Sequence, residues 1–166
     1  MKSTTILVVT ILSIATVFVS CKCQNTDQLN ERLINQYVKY WNTGEFDIIE
    51  DVLRKDFELR SSPKFEPEVG IETFKENILS LRKAYPDFHL AIDEAIYSAN
   101  AAAGRWTLTA TNTRSGSNPE ASKNIKVSGM SIFHFSEGKI KDEWIANNNY
   151  YWLQQLGYTF IAPSSE

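Results

Sequence analysis

Residues 71–92 read IETFKENILSLRKAYPDFHLAI, and the hydrophobic period changes within this stretch. Ile71, Phe74, Ile78, Leu81 and Tyr85 recur every three or four residues, the spacing of one apolar helical face. Pro86 disfavours a helical residue before it, so this helix must end near Tyr85. Directly afterwards Phe88, Leu90 and Ile92 alternate with Asp87, His89 and Ala91, the twofold period of a strand with one buried face. Pro86 is therefore the point at which a helical half gives way to a sheet.

Working outward toward the N-terminus, Leu29, Leu33, Tyr37 and Trp41 are spaced by four, and Ile34 and Val38 widen the stripe. They predict a helix over 27–43, stopped by Gly44. A shorter helix is expected to open at Asp47, with Glu50 completing a capping box and Ile48, Ile49, Val52 and Leu53 as its apolar residues. Pro63 and Pro67 mark a loop. Toward the C-terminus, strands are expected around Arg105 to Thr109, from about Ile125 to Phe135, and from about Ile140 to Asn149. Asn112 to Lys123 reads as a long hairpin loop and Ser136-Glu137-Gly138 as a tight one. Helices first and a meander afterwards predict an α+β domain, with one antiparallel sheet curled around about three N-terminal helices.

The chain has 166 residues, room for a single domain, and 43% of them are hydrophobic, enough to build a core. A net charge of −3, with Lys and Arg scattered among the acids, argues against a nucleic-acid partner. Met1-Lys2 precedes an uncharged, mostly apolar run from Ile6 to Val19, which is short for a membrane span and fits the core of an export signal. Phe18-Val19-Ser20-Cys21 then resembles a bacterial lipobox, so cleavage before Cys21 and lipidation of its sulfur are expected. The organisation expected is a signal peptide over 1–20, a tether over 21–26, a domain over 27–160 and a tail over 161–166. This places the domain on a bacterial cell envelope as a membrane-anchored lipoprotein, with a soluble secreted protein as the alternative. Cys23 is assigned no role. No metal site is expected from Cys-x-Cys at a terminus, and no cofactor motif, phosphate loop or nucleophile elbow is visible.

An ordered series of short motifs carries a family resemblance. Tyr40-Trp41-Asn42-Thr43-Gly44, Lys55-Asp56-Phe57, Gly70-Ile71-Glu72-Thr73-Phe74 and Tyr85-Pro86-Asp87-Phe88 occupy the helical half. Arg105-Trp106-Thr107, Gly129 before Ser131-Ile132-Phe133-His134-Phe135, Glu137-Gly138-Lys139-Ile140, Trp144 and Gln154-Gln155-Leu156-Gly157 follow in the second half. Together they resemble the SnoaL-like polyketide cyclases, a branch of the nuclear transport factor 2-like fold, over nearly the whole mature chain. The resemblance implies a cone-shaped α+β barrel with an apolar pocket, often dimeric. In enzyme members it implies acid/base chemistry on a carbon acid.

Such chemistry needs a carboxylate in a water-poor cavity, often beside a histidine. The position that carries the family's acid/base aspartate is Ile145, and the companion histidine's position is Ser131. Asn148 and Asn112 stand where the family has a second acid and another histidine. If Gly138 forms the bulge after a type I turn, Phe135 pairs with Lys139 and Ser131 with Glu143. Ser131, Glu143 and Ile145 then share one face, while Met130, His134, Trp144 and Asn148 lie on the other; a one-residue slip would reverse this. Glu143 is consequently the candidate relocated acid/base, with Arg60 as its counter-charge. Both residue types are also common as solvated surface charges. His134 is read as a packed or surface imidazole. Asn147, Asn148 and Asn149 could offer amides to a carbonyl ligand or simply end a strand. Tyr37, Trp41, Phe57 and Phe133 could line a pocket or fill a core.

Three functions follow from different premises. The leading expectation is a small-molecule-binding domain for an apolar or carbonyl-bearing ligand, without family-type catalysis. The second is a divergent cyclase or isomerase using Glu143. The third is an interaction module that forms a homodimer through the exposed face of its sheet. A buried Glu143 in a cavity, within hydrogen-bond reach of another polar group, would discriminate in favour of the enzyme.

Overall fold

The computed structural model describes residues 26–61, 66–112, 123–159 and 161. The signal peptide, Cys21, Cys23 and nearly all of the tether lie outside the described residues, as do Pro63, the interior of the 112–123 loop and most of the tail. Helix α1 covers 26–43, α2 Ile49–Val52 and α3 Ile71–Ala84. The strands are β1 (Leu53–Ser61), β2 (Glu68–Val69), β3 (His89–Tyr97), β4 (Ala101–Thr111), β5 (Asn124–Ser136) and β6 (Lys139–Asn147), and α4 (Asn149–Gln155) follows them. The six strands form one sheet in the order β2-β1-β6-β5-β4-β3. This is the expected α+β architecture of helices packed in the hollow of a curved sheet. The β1–β6 pairing is parallel and the other pairings are antiparallel.

The boundaries at Gly44 and Tyr85 have the expected causes. Gly44 takes φ of 71°, a left-handed conformation that costs glycine little, and its amide donates to Tyr40 O at 2.9 Å to finish α1. Tyr85 caps α3 ahead of Pro86. In α1 the buried stripe comprises Leu33, Ile34, Tyr37 and Tyr40, rotated slightly from expectation, so that Leu29 is 42% exposed. Asn30 instead is buried, and its amide donates to Ser98 O at 2.8 Å beyond the end of β3.

The region after Gly44 differs from the sequence reading. The second helix is a single turn with Ile48 at its N-cap and no side-chain cap, so the Asp47–Glu50 capping box does not form. Leu53 begins β1 rather than ending the helix. β1 escaped detection because its twofold pattern is broken. Between Leu53, opposite Ile140, and Glu58, opposite Asp142, the register shifts, and the segment is rich in charge. At the other end, Asn148 and Asn149 cap and open α4 rather than extending the last strand.

Two apolar clusters fill the hollow. One gathers Tyr37, Phe57, Phe74 and Phe133 with the α2 and β1 residues, and the other gathers Tyr85, Phe88, Trp106, Leu108 and Leu156. Trp41, Val38, Ile92 and Ile145 pack against both. The functional candidates concentrate at this junction.

Candidate active site

The position of Glu143 depends on the β5–β6 hairpin. Glu137 and Gly138 have φ of 56° and 71°, and Ser136 pairs with Lys139, so the turn is a two-residue type I′ turn. The expected type I turn with a Gly138 bulge is not formed. By itself this turn would move the register by one residue and reverse every face. A bulge between His134 and Phe135 restores the parity: Phe135 pairs with Ile140, but His134 pairs with Asp142, leaving Lys141 unopposed. Ser131 therefore lies opposite Ile145 and Phe133 opposite Glu143. The expected partners are corrected by two residues, and the expected shared face is retained.

On that concave face Ser131 is 1% exposed and Glu143 4%. The Tyr37 hydroxyl donates a short hydrogen bond to Glu143 Oε2. The Ser131 hydroxyl lies beside the carboxyl and favours its charged form, while its Oγ accepts from Trp106 Nε1 at 2.9 Å. Because the indole occupies a lone pair of Oγ, the Ser131 hydroxyl proton is free to point at Glu143. From the helical side the Trp41 ring meets Tyr37 edge-on, with 6.3 Å between ring centroids. Burial pushes the Glu143 carboxyl up to about 7, and the neighbouring Ser131 and Tyr37 hydroxyls hold it from rising further. The Tyr37 phenol is raised by burial and by the neighbouring carboxylate, so it remains a donor.

Glu143, Ile145 and Asn147 of β6 line one side of a cavity of about 150 Å³. Trp106 and Leu108 of β4 and Leu90 of β3 extend the sheet side, and Trp41, Phe88 and Trp152 face them. Local hydrogen bonds hold these walls. Asn42 clamps β3 by donating to Leu90 O at 2.9 Å and accepting from Leu90 N at 2.7 Å. Arg82 of α3 donates to Trp41 O at 3.1 Å and Phe88 O at 3.3 Å, joining helix ends to the start of β3. Gly129 pairs with Trp106, and a Cβ there would lie 2.2 Å from the indole ring. Only glycine lets the indole lie flat across β5 and reach Ser131.

The sequence candidates separate into groups. Glu143, Ser131 and Tyr37 form the polar centre, and Trp41, Ile145 and Asn147 line the cavity. Phe57 and Phe133 pack on Tyr37 at ring-centroid distances of 6.0 and 5.5 Å and belong to the core behind it. Arg60 is not the counter-charge of Glu143. It pairs in register with Trp144 on the convex face, lies 5.2 Å from that ring and bonds Glu58. Asn148 is outside the lining of the Glu143 cavity, and its side chain accepts from Tyr151 N at 2.9 Å as the cap of α4. Asn112 is buried at the end of β4, outside the cavity lining. His134 is on the convex face, its Nδ1 2.5 Å from Asp142 Oδ1. The wall residues Trp106, Leu108, Phe88 and Trp152 were not candidates. A glycine in an otherwise alternating strand, as at Gly129, was the signal that a large side chain crosses it.

Comparison with known proteins agrees with this geometry. The family model of the SnoaL-like polyketide cyclases matches residues 31–156, and the chain belongs to that family. Among solved structures it is similar to a candidate polyketide cyclase from Bacillus cereus ATCC 10987, at 25% identity and a TM-score of 0.63, covering 75% of this chain and 78% of that one. It is also similar to a candidate polyketide cyclase from Acidithiobacillus ferrooxidans, at 21% identity and a TM-score of 0.69, covering 78% and 94%. A candidate cyclase from Xanthomonas campestris pv. campestris shares 17% identity with a TM-score of 0.70, covering 79% and 98%. No curated protein matches the chain.

Proposed function

We propose that this domain is a proton-transfer enzyme acting on a small carbonyl compound, with Glu143 as its acid/base. The observation that carries the reading is the buried Glu143 carboxyl in the cavity wall, hydrogen-bonded by Tyr37 beside the Ser131 hydroxyl and raised to about 7. A group with that proton affinity is divided between its two forms at neutral pH, the condition in which it can both take and return a proton. The carboxylate would remove a proton from carbon next to the carbonyl, leaving an enolate and neutral Glu143. The proton then returns to carbon in an isomerisation, or to the new alkoxide oxygen when the enolate carbon attacks a second carbonyl. Tyr37 and Ser131 keep the carboxyl oriented throughout. This gives preference to the divergent enzyme over binding without turnover.

Deuterium exchange at the α-carbon of ketone probes, followed by NMR in D₂O, tests it. Glu143→Gln should lower the enzyme-dependent exchange by about 10²–10⁴-fold, the range of a general base. Equal exchange in Glu143→Gln would refute the reading.

The same proposal places the domain at a bacterial cell envelope, exported by residues 1–20 and held to the membrane through lipid on Cys21. The apolar run and the residues before Cys21 support this. Incorporation of a labelled fatty acid into the full chain, lost in Cys21→Ser, is the expected outcome. A dimerising role is favoured by one separate observation. Met130, Ile132 and Trp144 are 56%, 48% and 49% exposed together on the convex face.

A further inference from the structure

Trp41 of α1, Trp106 of β4 and Trp152 of α4 line the Glu143 cavity together with Phe88, and among its described lining residues there is no Lys, Arg or His. Glu143 is the one charged group of this wall. Arg60, the nearest candidate for a counter-charge in the sequence, lies on the convex face over Trp144. The carboxyl therefore faces aromatic rings without a cation from the protein.

Contacts outside the cavity hold each indole. Trp106 lies flat over Gly129, with ring carbons 2.2, 2.4 and 2.8 Å from where a Cβ would stand, and its Nε1 donates to Ser131. One face of this ring is covered by β5, so the other is the face turned to the hollow. Trp41 stacks on Phe88 with 6.1 Å between ring centroids and 30° between planes. Trp152 meets Tyr85 edge-on at 5.8 Å, and Gln155 ties α4 to β5 by accepting from Lys126 N at 2.8 Å and donating to Lys126 O at 3.0 Å. The rings are in place before a ligand enters.

The face of an aromatic ring carries negative potential and attracts a cation, most strongly where water is excluded and the ring is an indole. An ionised carboxylate in the same wall has the same sign of field. A carboxylate or phosphate ligand would be repelled by both, whereas a cation offsets the charge that burial makes costly at Glu143. The catalytic reading adds a separate demand. Proton removal from carbon places negative charge on the carbonyl oxygen, and the wall has no positive side chain to stabilise it. A substrate with its own positive charge beside the carbonyl supplies what the wall lacks.

We infer that the cavity is an aromatic cage for an organic cation, a carbonyl compound with an alkylammonium group beside its acidic carbon, held by Trp41, Trp106 and Trp152 next to Glu143. The acidic carbon rests on the proposed acid/base reading, but the preference for a cation does not. In the reaction the C–H bond between carbonyl and nitrogen breaks, the proton goes to Glu143, and the electron pair moves into the enolate, whose charge the ammonium balances. Return of the proton to carbon restores both groups.

The test uses the full chain with acetonyltrimethylammonium and its neutral isostere 4,4-dimethylpentan-2-one, in which carbon replaces nitrogen and the shape is kept. Binding is read by calorimetry at pH 8, above the titration of Glu143, and exchange of the methylene protons by NMR in D₂O. The cation should bind about tenfold tighter than the isostere. Trp152→Leu and Glu143→Gln should each reduce that preference to about threefold or less, while Trp152→Phe, which keeps a ring face, should retain most of it. Circular dichroism checks that each variant is folded, and the wild-type comparison decides the inference should one fail to fold. Equal binding of the two probes, tighter binding of the isostere, or no binding of either would overturn the cage, as would a preference that neither variant lowers. A cation preference without exchange would uphold the cage and refute the acid/base reading. Exchange of both probes without a cation preference would do the reverse.

Discussion

The concave and convex faces of β5 and β6 are made by alternate residues of the same two strands. On the concave side Ser131, Phe133 and Glu143 are at most 4% exposed. On the convex side Ile132, which neighbours both Ser131 and Phe133, is 48% exposed. Cross-strand register aligns a row on this outer surface: Ile96 opposite Ala103, Ala103 opposite Ile132, Ile132 opposite Trp144 and Trp144 opposite Arg60. Each face carries an acid in contact with a partner, but in different surroundings. Glu143 is enclosed by aromatic rings, so desolvation dominates its proton affinity. Asp142, the preceding residue, is held by His134, whose side chain is 47% exposed. Asp142 is itself only 7% exposed, so the two acids differ in partner more than in burial: one faces the cavity and the other a half-exposed imidazole, and the bulge at Lys141 decides which acid goes where.

This contrast can be broken first through pH. The folded Glu143 carboxyl titrates near 7 and its unfolded value is 4.5, so between these values the native state binds more protons than the unfolded one. The contribution of Glu143 to stability is then full below about pH 4.5 and is lost as pH rises through 7, roughly 3 kcal/mol at most. Urea denaturation at a series of pH values should show that slope in the wild type and lose it in Glu143→Gln. The slope should be unchanged when the non-titrating Ile132 is replaced by Ser on the convex face.

A second test sharpens the concave side alone. Gly129→Ala puts a methyl group into the Trp106 indole, so the ring must leave Ser131 and the cavity wall. About 1–3 kcal/mol of stability should be lost, with a shift in tryptophan fluorescence. A smaller effect is expected outside. Ile132→Ser should change monomer stability by no more than about 0.5 kcal/mol, because little burial is lost. If the outer row joins two copies, sedimentation will show the same substitution moving the protein toward monomer.

Much of the architecture was legible because it depends on local rules. Gly44 and Pro86 end helices for reasons contained in their own backbones, and the alternation in β4 and β5 survives because both strands have one wet face. β1 was not legible, since its bulge breaks the alternation and its parallel partner is nearly 90 residues away in sequence. The candidate site was legible only in part. Glu143, Ser131 and Ile145 could be placed on one face through a hairpin argument, although the turn type was different and a second irregularity compensated for it. Arg60 and Asn148 were misplaced because side-chain direction at the end of a strand depends on neighbours remote in the chain.

By itself, then, the sequence determined the order of helices and strands, the family motifs, and the absence of an acid at position 145 and of a histidine at 131. It also determined that Glu143 was the acid available beside them. Only the tertiary structure decided that this carboxyl is dry, that Tyr37 from α1 and Ser131 from β5 converge on it, and that Trp106 orients Ser131 across a glycine. The physical reason is that period and capping are set by residues a few positions apart. A proton affinity near 7 depends on excluding water, which here takes side chains from α1, β4, β5 and β6 packed around one carboxyl group.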